Sequence, residues 1–521
     1  MEQKTTILRL AKPKMKGIFG LLFSRLPLIL LLIALQILMM VGLFSRFQEY
    51  IPHYTAFQSI FTVAMAFYLY NCSMDASAKL TWLLVIMLFP APGAVFLAYT
   101  RTNLGHRLVK ARTAELIDQT RGAIEQDESV MEALGSDNSG TDDLQRYLSR
   151  SGCMPVFANT QVRYFPLGED MFSAMLEELE KAERFIYMEY FIVEEGEMWG
   201  RILDVLARKA AAGVDVRVMY DGMCEISLLP HDYPKRLKKL GIQAKVFSPV
   251  TAFVSTHYNY RDHRKILVID NRVAFNGGVN LADEYINRKQ RFGHWKDTAL
   301  MLRGEAARSF TLMFLQMWNL MESEPDFAPV QSEGLSAEAA GYVMPYGDCP
   351  LDDDKVGESV YMDMLYHANR YVHVMTPYLI LDGELETALK YAAERGIDVK
   401  LILPGIPDKK AAYALAKSHY RSLVDAGVKI YEYTPGFVHA KVFVSDDAKA
   451  VVGTINLDYR SLYHHFECAT YLYQVPCIRE IEADFQATLA QCRAVTPETI
   501  RKEKLSYKVL GSIMKLVAPM M

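Results

Sequence analysis

Two short strings in the chain carry the residue types that chemistry at a phosphodiester requires. His263-Arg264-Lys265 leads through an apolar run to Asp270, and His439-Ala440-Lys441 leads through another to Asp446, so the pattern H-x-K-x-x-x-x-D occurs twice. Each copy is followed by glycine and asparagine, in Gly277-Gly278-Val279-Asn280 and in Gly453-Thr454-Ile455-Asn456. Histidine and lysine two apart on a strand share a face. Transfer at phosphorus needs a nucleophile, a proton donor for the departing alcohol, and cationic or hydrogen-bonding groups on the phosphoryl oxygens. Two copies brought to one phosphorus supply two imidazoles and two ammonium groups. Imidazole suits either proton-transfer role because its ordinary pKa of ~6.5 lies near working pH. Asn280 and Asn456 can donate to a phosphoryl oxygen, and the glycines let backbone approach closely. Asp270 and Asp446 complete the catalytic motif; each lies just past an apolar strand, where it is expected to fix the turn or to support the contacting residues from behind rather than touch phosphorus. One such string is weak evidence, whereas two at matching places in a repeat are strong.

The repeat supplies the elements that must position them. The run Arg184 to Val193 answers Arg370 to Ile380, and both are β-branched and aromatic, as buried strands are. A helical stretch follows each and ends at Gly213 or Gly396, where glycine suits a helix C-terminus. Further strands are predicted at Val214 to Tyr220 and Ile397 to Leu403, helices ending near Gly241 and Gly427, then strands at Ala244 to Phe247 and Val428 to Tyr431. This alternation predicts an α/β fold with a largely parallel sheet in each half. The halves, 155–325 and 336–500, are expected to stand side by side with pseudo-two-fold symmetry.

At 521 residues the chain is long enough for two or three domains. Its net charge of -4 argues against a basic nucleic-acid binder. Seven scattered cysteines without a C-x-x-C pair read as reduced buried thiols, with neither a disulfide framework nor a zinc site. The apolar excess lies in residues 1–100, read as a membrane anchor of N-terminal transmembrane helices. Leu26 to Phe44 carries no charge and is about one bilayer long. Ala56 to Asn71 is a second apolar stretch, and Leu80 to Thr100 a third, broken by Pro90, Pro92 and Gly93. Trp82, Tyr54 and Tyr99 sit near the ends of these stretches, as interfacial aromatics do. Basic residues flank both ends of the region, which implies an even number of crossings and a cytoplasmic catalytic region. Either the second or the third stretch is then re-entrant or interfacial. Residues 101–154 read as a juxtamembrane linker with helical pieces. Residues 501–521 form an amphipathic C-terminal segment that suits either the membrane interface or packing on the body.

The longer strings resemble those of the phospholipase D superfamily, and among its members the bacterial cardiolipin synthases. Arg261 to Ile266, Gly277 to Tyr285 and His294 to Asp297 are similar to the first catalytic half of that family. Val438 to Lys441, Gly453 to Ser461 and Phe466-Glu467 are similar to the second. Ser445 stands where an aliphatic residue is commoner. The resemblance extends over nearly the whole chain and implies two phospholipase D-like halves. It also implies an activity at the cell membrane of a multi-pass protein: a phosphatidyl group passes from one phosphatidylglycerol to a histidine and then to a second phosphatidylglycerol, giving cardiolipin and glycerol. Neither nucleotide, other cofactor nor metal is implied, and no Asp/Glu cluster shows metal-ligand spacing. The resemblance makes His263 the nucleophile and His439 the acid and base, although symmetry alone leaves the roles open. Lys265, Lys441, Asn280 and Asn456 are expected on the phosphoryl oxygens. Asp297 and Glu467 are expected to orient the histidines of their own halves.

The same residues suit a hydrolytic phospholipase D, a phosphodiester nuclease or an inactive lipid-binding scaffold. Membrane anchoring favours two lipid substrates over water. The acidic balance argues against a nuclease, whose groove is basic and aromatic. Both complete motifs argue against an inactive scaffold. Phosphatidylethanolamine as second substrate and the oligomeric state stay open. His464 and His465 beside Glu467 point to opposite faces of a strand and are read as packing or surface residues. His257 and His294 are read as local structure.

Overall fold

The structure, a computed structural model, describes residues 7–10, 34, 38, 51–101, 104–136, 139–152, 154–249, 260–332 and 334–520. The predicted span Leu26 to Phe44 lies outside these residues save for two positions, and His257 and Cys153 also lie outside them. Among the described residues no helix is long and apolar enough to cross a membrane.

The first half contributes β1 (Thr160–Phe165), β2 (Phe185–Tyr190), β3 (Asp215–Asp221), β4 (Gln243–Phe247), β5 (Arg261–Asp262), β6 (Lys265–Ile269), β7 (Val273–Gly277), β8 (His294–Lys296) and β9 (Ala299–Gly304). The second contributes β10 (Tyr342–Asp348), β11 (Tyr371–Met375), β12 (Asp398–Pro404), β13 (Lys429–Tyr433), β14 (Gly436–Val438), β15 (Val442–Ser445), β16 (Lys449–Gly453), β17 (His465–Tyr473) and β18 (Cys492–Ala494). The first sheet runs β1-β9-β7-β6-β2-β3-β4 and the second β10-β17-β16-β15-β11-β12-β13-β18, the same order apart from the added β18.

The sheets are mixed rather than largely parallel. The predicted strand–helix–strand units do give the parallel pairs β2–β3, β3–β4, β11–β12 and β12–β13. The motif strands, however, turn back as hairpins, so β6–β7, β7–β9, β15–β16 and β16–β17 are antiparallel. The reason is local. Asp270-Asn271 and Asp446-Asp447 all take positive φ, between 54° and 60°, and such residues make the tight turn whose twist matches antiparallel strands.

The cores of the two halves meet. Phe310, Phe314 and Ile266 from the first half pack in one apolar cluster with Val442, Val452 and Phe466 from the second. Between residues 104 and 152 the described residues form three helices, Leu104–Gln119, Glu128–Gly135 and Thr141–Gly152. Leu134, Leu144 and Leu148 enter the core of the second half, so this segment packs more closely than a linker would. The third apolar stretch breaks at proline into the helices Ala76–Leu88 and Pro90–Arg101, where Trp82 and Phe96 rings pack 5.3 Å apart. The C-terminal helix Leu505–Val517 packs on the body along one side and leaves apolar side chains exposed on the other. Gly511 is pressed so close to the helix Lys410–Asp425 that a Cβ would lie 2.4 Å from the Ala414 carbonyl. Leu505, Val509, Ile513 and Leu516 face solvent.

Candidate active site

Two short pairings across the halves build the site. β5 of the first half runs parallel to the start of β17 in the second, with Arg261 opposite His465 and Asp262 opposite Phe466. The next amide, of His263, donates to the Phe466 carbonyl at 2.9 Å. In mirror fashion β14 runs parallel to β8, with Val438 opposite Lys296. The amide of His439 then donates to the Lys296 carbonyl at 2.7 Å. Each histidine is thus strapped beside the acid that follows in the other half's strand.

That strapping corrects the expected pairing. Asp297 and Glu467 do not orient the histidines of their own halves. His263 Nδ1 lies 2.9 Å and 3.0 Å from the Glu467 oxygens, and His439 Nδ1 lies 2.7 Å from Asp297 Oδ2. All four side chains are buried. With Nδ1–H directed at the acid, Nε2 of each ring holds the lone pair, the arrangement a catalytic triad imposes on its imidazole. Lys441 Nζ also comes within 2.9 Å of His439 Nδ1. One nitrogen cannot both accept from Lys441 and donate to Asp297. The shorter contact to the carboxylate takes the proton, and Lys441 donates to the His439 carbonyl. Lys265 likewise donates to the His263 carbonyl. Each His–Lys pair sits at the entry to its strand rather than within it.

The electrostatics tie the groups into one site. Burial, followed by the positive charges of Lys265, His465, Lys441 and His439, holds the His263 imidazole well below its ordinary range. Burial and Lys441 lower His439 to about 4. Burial lowers Lys265 to about 8 and Lys441 to about 7. Burial pushes the Asp297 carboxyl up, but His439 and Lys441 outweigh it and hold the acid below the usual carboxylate range. For Glu467 burial wins, and its carboxyl is raised well above that range despite Lys265 and the Thr454 hydroxyl. In a low-dielectric site such crowded positive charge is costly until an anion enters. The centre is therefore poised for a negatively charged ligand.

The remaining predicted residues divide. Asn280 is buried; its Oδ1 accepts from the Ile192 amide at 3.0 Å and its Nδ2 donates to the Tyr285 hydroxyl at 2.9 Å. That leaves one amide hydrogen for another acceptor. Asn456 is buried, and its Oδ1 has no partner. Asp270 and Asp446, counted with the catalytic motif, are corrected to structural residues. The Asp270 carboxylate accepts three backbone N–H groups, from Glu183, Arg184 and Phe185, each at 2.8 Å. Asp446 accepts from Asn369, Arg370 and Tyr371 at 2.7–2.9 Å. Each stands at the far end of its strand, a strand's length of roughly 15 Å from the histidine.

His465 is the residue that reading by sequence missed. It is buried, with its ring centroid 5.1 Å from that of His263, and Nδ1 lies 3.5 Å from Glu467 Oε1. The signal was available: residues two apart on a strand share a face, so His465 had to accompany Glu467. His294 serves local structure, its Nδ1 meeting the Tyr433 hydroxyl at 3.0 Å. The fold also brings together acidic groups that sequence spacing kept apart. Among the described residues, ligand-type atoms of His263, His465 and Glu467 lie within 4.8 Å of one another, as do those of Glu358, Asp382 and Glu384. In the first, the His263 Nδ1 and Glu467 oxygens already face each other. In the second, the Tyr463 hydroxyl donates to Asp382 at 2.5 Å and Lys355 pairs with Glu358 at 3.3 Å.

Two α/β halves that meet at paired imidazoles and paired lysines form a centre for phosphodiester transfer. Comparison with known proteins narrows this class. Residues 175–318 and 361–489 match the family described as "Cardiolipin synthase, PLD-like domain". An uncharacterized protein of Streptococcus mutans is 58% identical over 460 residues, covering 88% of this chain and all of that one. Cardiolipin synthase 2 of Bacillus anthracis is 34% identical, covering 89% of this chain and 90% of its own. Phosphatidylserine synthase of Haemophilus influenzae shares the fold at a TM-score of 0.56 and 14% identity, over 73% of this chain and all of that one. The chain belongs to the bacterial cardiolipin synthase family of the phospholipase D superfamily.

Proposed function

We propose that the protein joins two phosphatidylglycerol molecules into cardiolipin, releasing glycerol, through a phosphatidyl group carried on His263. The observation that supports this reading is the crossed pair of buried acid–histidine contacts around one cationic centre, His263 with Glu467 and His439 with Asp297. In the first step His263 Nε2 attacks phosphorus. The bond to the glycerol oxygen breaks, and His439 Nε2–H gives that oxygen its proton. In the second step His439 takes the proton from a hydroxyl of the second phosphatidylglycerol, whose oxygen attacks phosphorus as the N–P bond breaks. One residue serves as acid and then as base, as reversibility requires. Lys265, Lys441, Asn280 and Asn456 hold the phosphoryl oxygens as charge develops. The entering phosphodiester anion draws His439 and the lysines back towards their charged forms.

The same reading seats the enzyme in the cell membrane as a multi-pass protein with its catalytic body on the cytoplasmic side. It is supported by the exposed apolar side chains of the helix Ile51–Asn71, among them Phe57, Ile60, Val63 and Phe67, and by the apolar stripe of the C-terminal helix. The Thr81 hydroxyl donates to the Leu516 carbonyl at 2.6 Å and ties the two regions together.

The test is purified enzyme in mixed micelles with labelled phosphatidylglycerol, products resolved by mass, with and without excess chelator. Cardiolipin and glycerol in equal amounts, unchanged by chelator, are expected. Phosphatidic acid as the sole product would make the enzyme a hydrolase. Activity lost to chelator and restored by a divalent ion would make it metal-dependent. His439→Ala should accumulate a phosphatidyl adduct when the leaving alcohol is a good one, and His263→Ala should form none. An adduct on His439 in the native enzyme reverses the roles.

A further inference from the structure

Beside His263 stands a buried histidine that the two-histidine reaction does not use. His465 opens β17 two residues before Glu467 and shares its face. Its Nε2 lies 3.2 Å from Arg460 Nε. An arginine N–H only donates, so this nitrogen must be the unprotonated one. The proton of the neutral ring therefore sits on Nδ1, which is buried, makes no hydrogen bond, and lies 3.5 Å from Glu467 Oε1. Catalytic contacts of this kind are often long in an empty site and shorten when substrate enters.

We propose that His465 is a positioning residue: Arg460 fixes its tautomer so that Nδ1–H is aimed at Glu467, and this donor keeps the carboxylate ionised and oriented to accept from His263 Nδ1. The inference rests on the reading of His263 as the attacking group. Its logic is competition at one acid. Burial favours the protonated form of Glu467, and Asp458 adds to that. Opposing it are Lys265, the hydroxyls of Thr454 and Ser461, and His263 itself. Lys441 from the second motif also feels this carboxylate, as do the Cys468 thiol beside it and the Tyr361 phenol beneath. His465 in turn faces Arg460, His464, Lys265 and Arg261. Burial and these charges keep its ring neutral, and so a donor at Nδ1. Were Glu467 protonated, it would donate to His263 Nδ1, shift the ring proton to Nε2 and leave no lone pair for phosphorus.

The test uses the full chain in lipid micelles. His465→Phe keeps the ring and loses the donor; His465→Asn keeps a donor near the position of Nδ1. A lost hydrogen bond to a charged group predicts a fall in kcat of about tenfold or more for the phenylalanine variant. KM should stay within about twofold, and the acidic limb of the kcat profile should move to higher pH by about one unit. Asparagine should restore both the rate and the limb. Thermal melting of both variants reports folding. An unmoved pH limb in the phenylalanine variant overturns the inference, as does asparagine proving no better than phenylalanine in equally stable proteins, since packing alone would then account for the residue. If His263 were the acid rather than the nucleophile, the alkaline limb would move instead, so failure of the role assignment is read separately.

Discussion

The two halves repeat the same motif, yet the acids they lend each other differ. Asp297 lies against Gly278, where a Cβ would stand 2.1 Å from its Oδ1. The short acid fits only because that position carries no side chain. Its counterpart Glu467 lies against Thr454, whose hydroxyl donates to Oε2. One acid is thus held ionised by the positive charges around it, and the other is lifted by burial and managed by hydroxyl and imidazole donors. The difference breaks a symmetry that the motifs alone leave intact. An ionised Asp297 suits the proposed role of His439, which must carry a charge to donate its proton. Glu467, lifted by burial and opposed by its hydrogen-bond donors, suits the proposed role of His263, whose ring must be uncharged to attack. On the proposed roles, a two-fold scaffold would in this way serve a reaction whose two sides need opposite protonation states.

The acids give the largest way to break this comparison. Asp297→Asn should reduce kcat by about 10³-fold, because the amide cannot stabilise the His439 imidazolium and favours the wrong tautomer. Glu467→Gln should cost less, about 10²-fold, because its partner works uncharged in the first step. Pre-steady-state release of glycerol, set against the full turnover rate, separates the two: Asp297→Asn should slow the burst more. Equal losses in both variants, with equal burst rates, would mean that the halves are electrostatically alike.

The lysines give a smaller, pH-dependent difference. Lys441 falls to about 7 and Lys265 to about 8. Above these values each is neutral when free and must take up a proton as a phosphodiester anion binds. Affinity for a short-chain diester, measured on His263→Ala to prevent turnover, should fall as pH rises past 7 and more steeply past 8. The slope approaches about tenfold per pH unit for each proton taken up. Lys441→Met should remove the lower inflection and Lys265→Met the upper one, each lowering affinity at pH 6. Binding that is flat from pH 6 to 9 would mean that both ammonium groups stay charged without ligand.

The motif hairpins were legible in the sequence because they are local. The spacing of His263, Lys265 and Asp270 fits one hairpin, and its echo at residues 439–446 fits another. What stayed hidden depends on contacts between segments far apart in the chain. The exchange of acids rests on β5–β17 and β8–β14, pairings two and three residues long. Such pairings carry no periodicity of their own. Antiparallel return was similarly masked, since a short apolar run reads as a buried strand without declaring its direction. His465 is different: alternation along β17 places it on the face of Glu467, and its neighbour His464 on the other. The grouping of Glu358, Asp382 and Glu384 is again tertiary, drawn from the helix Val356–His367 and the start of Gly383–Glu394.

The smallest expected difference concerns the last residue of each motif. Asp270 and Asp446 have the same positive φ and the same three backbone donors, so the two sites differ chiefly in access to water. Asp270 is 2% exposed, whereas the N–H groups bonded to Asp446 lie nearer solvent. Removing a buried acceptor leaves its donors unsatisfied, but at a surface water replaces it. Asp270→Ala should therefore destabilise the protein by about 3 kcal/mol and Asp446→Ala by about 1 kcal/mol, with alanine's poor tolerance of this backbone region adding to both. Asparagine tolerates that region and keeps one acceptor oxygen, so Asp270→Asn should recover roughly half of the loss. Denaturant unfolding of the two alanine variants tests the ranking, and activity per folded molecule tests the role. Neither variant should change kcat more than about twofold at a temperature where both are folded. A stable Asp270→Asn protein without activity would return this residue to the catalytic set, and the hairpin turn would then be part of the chemistry rather than its support.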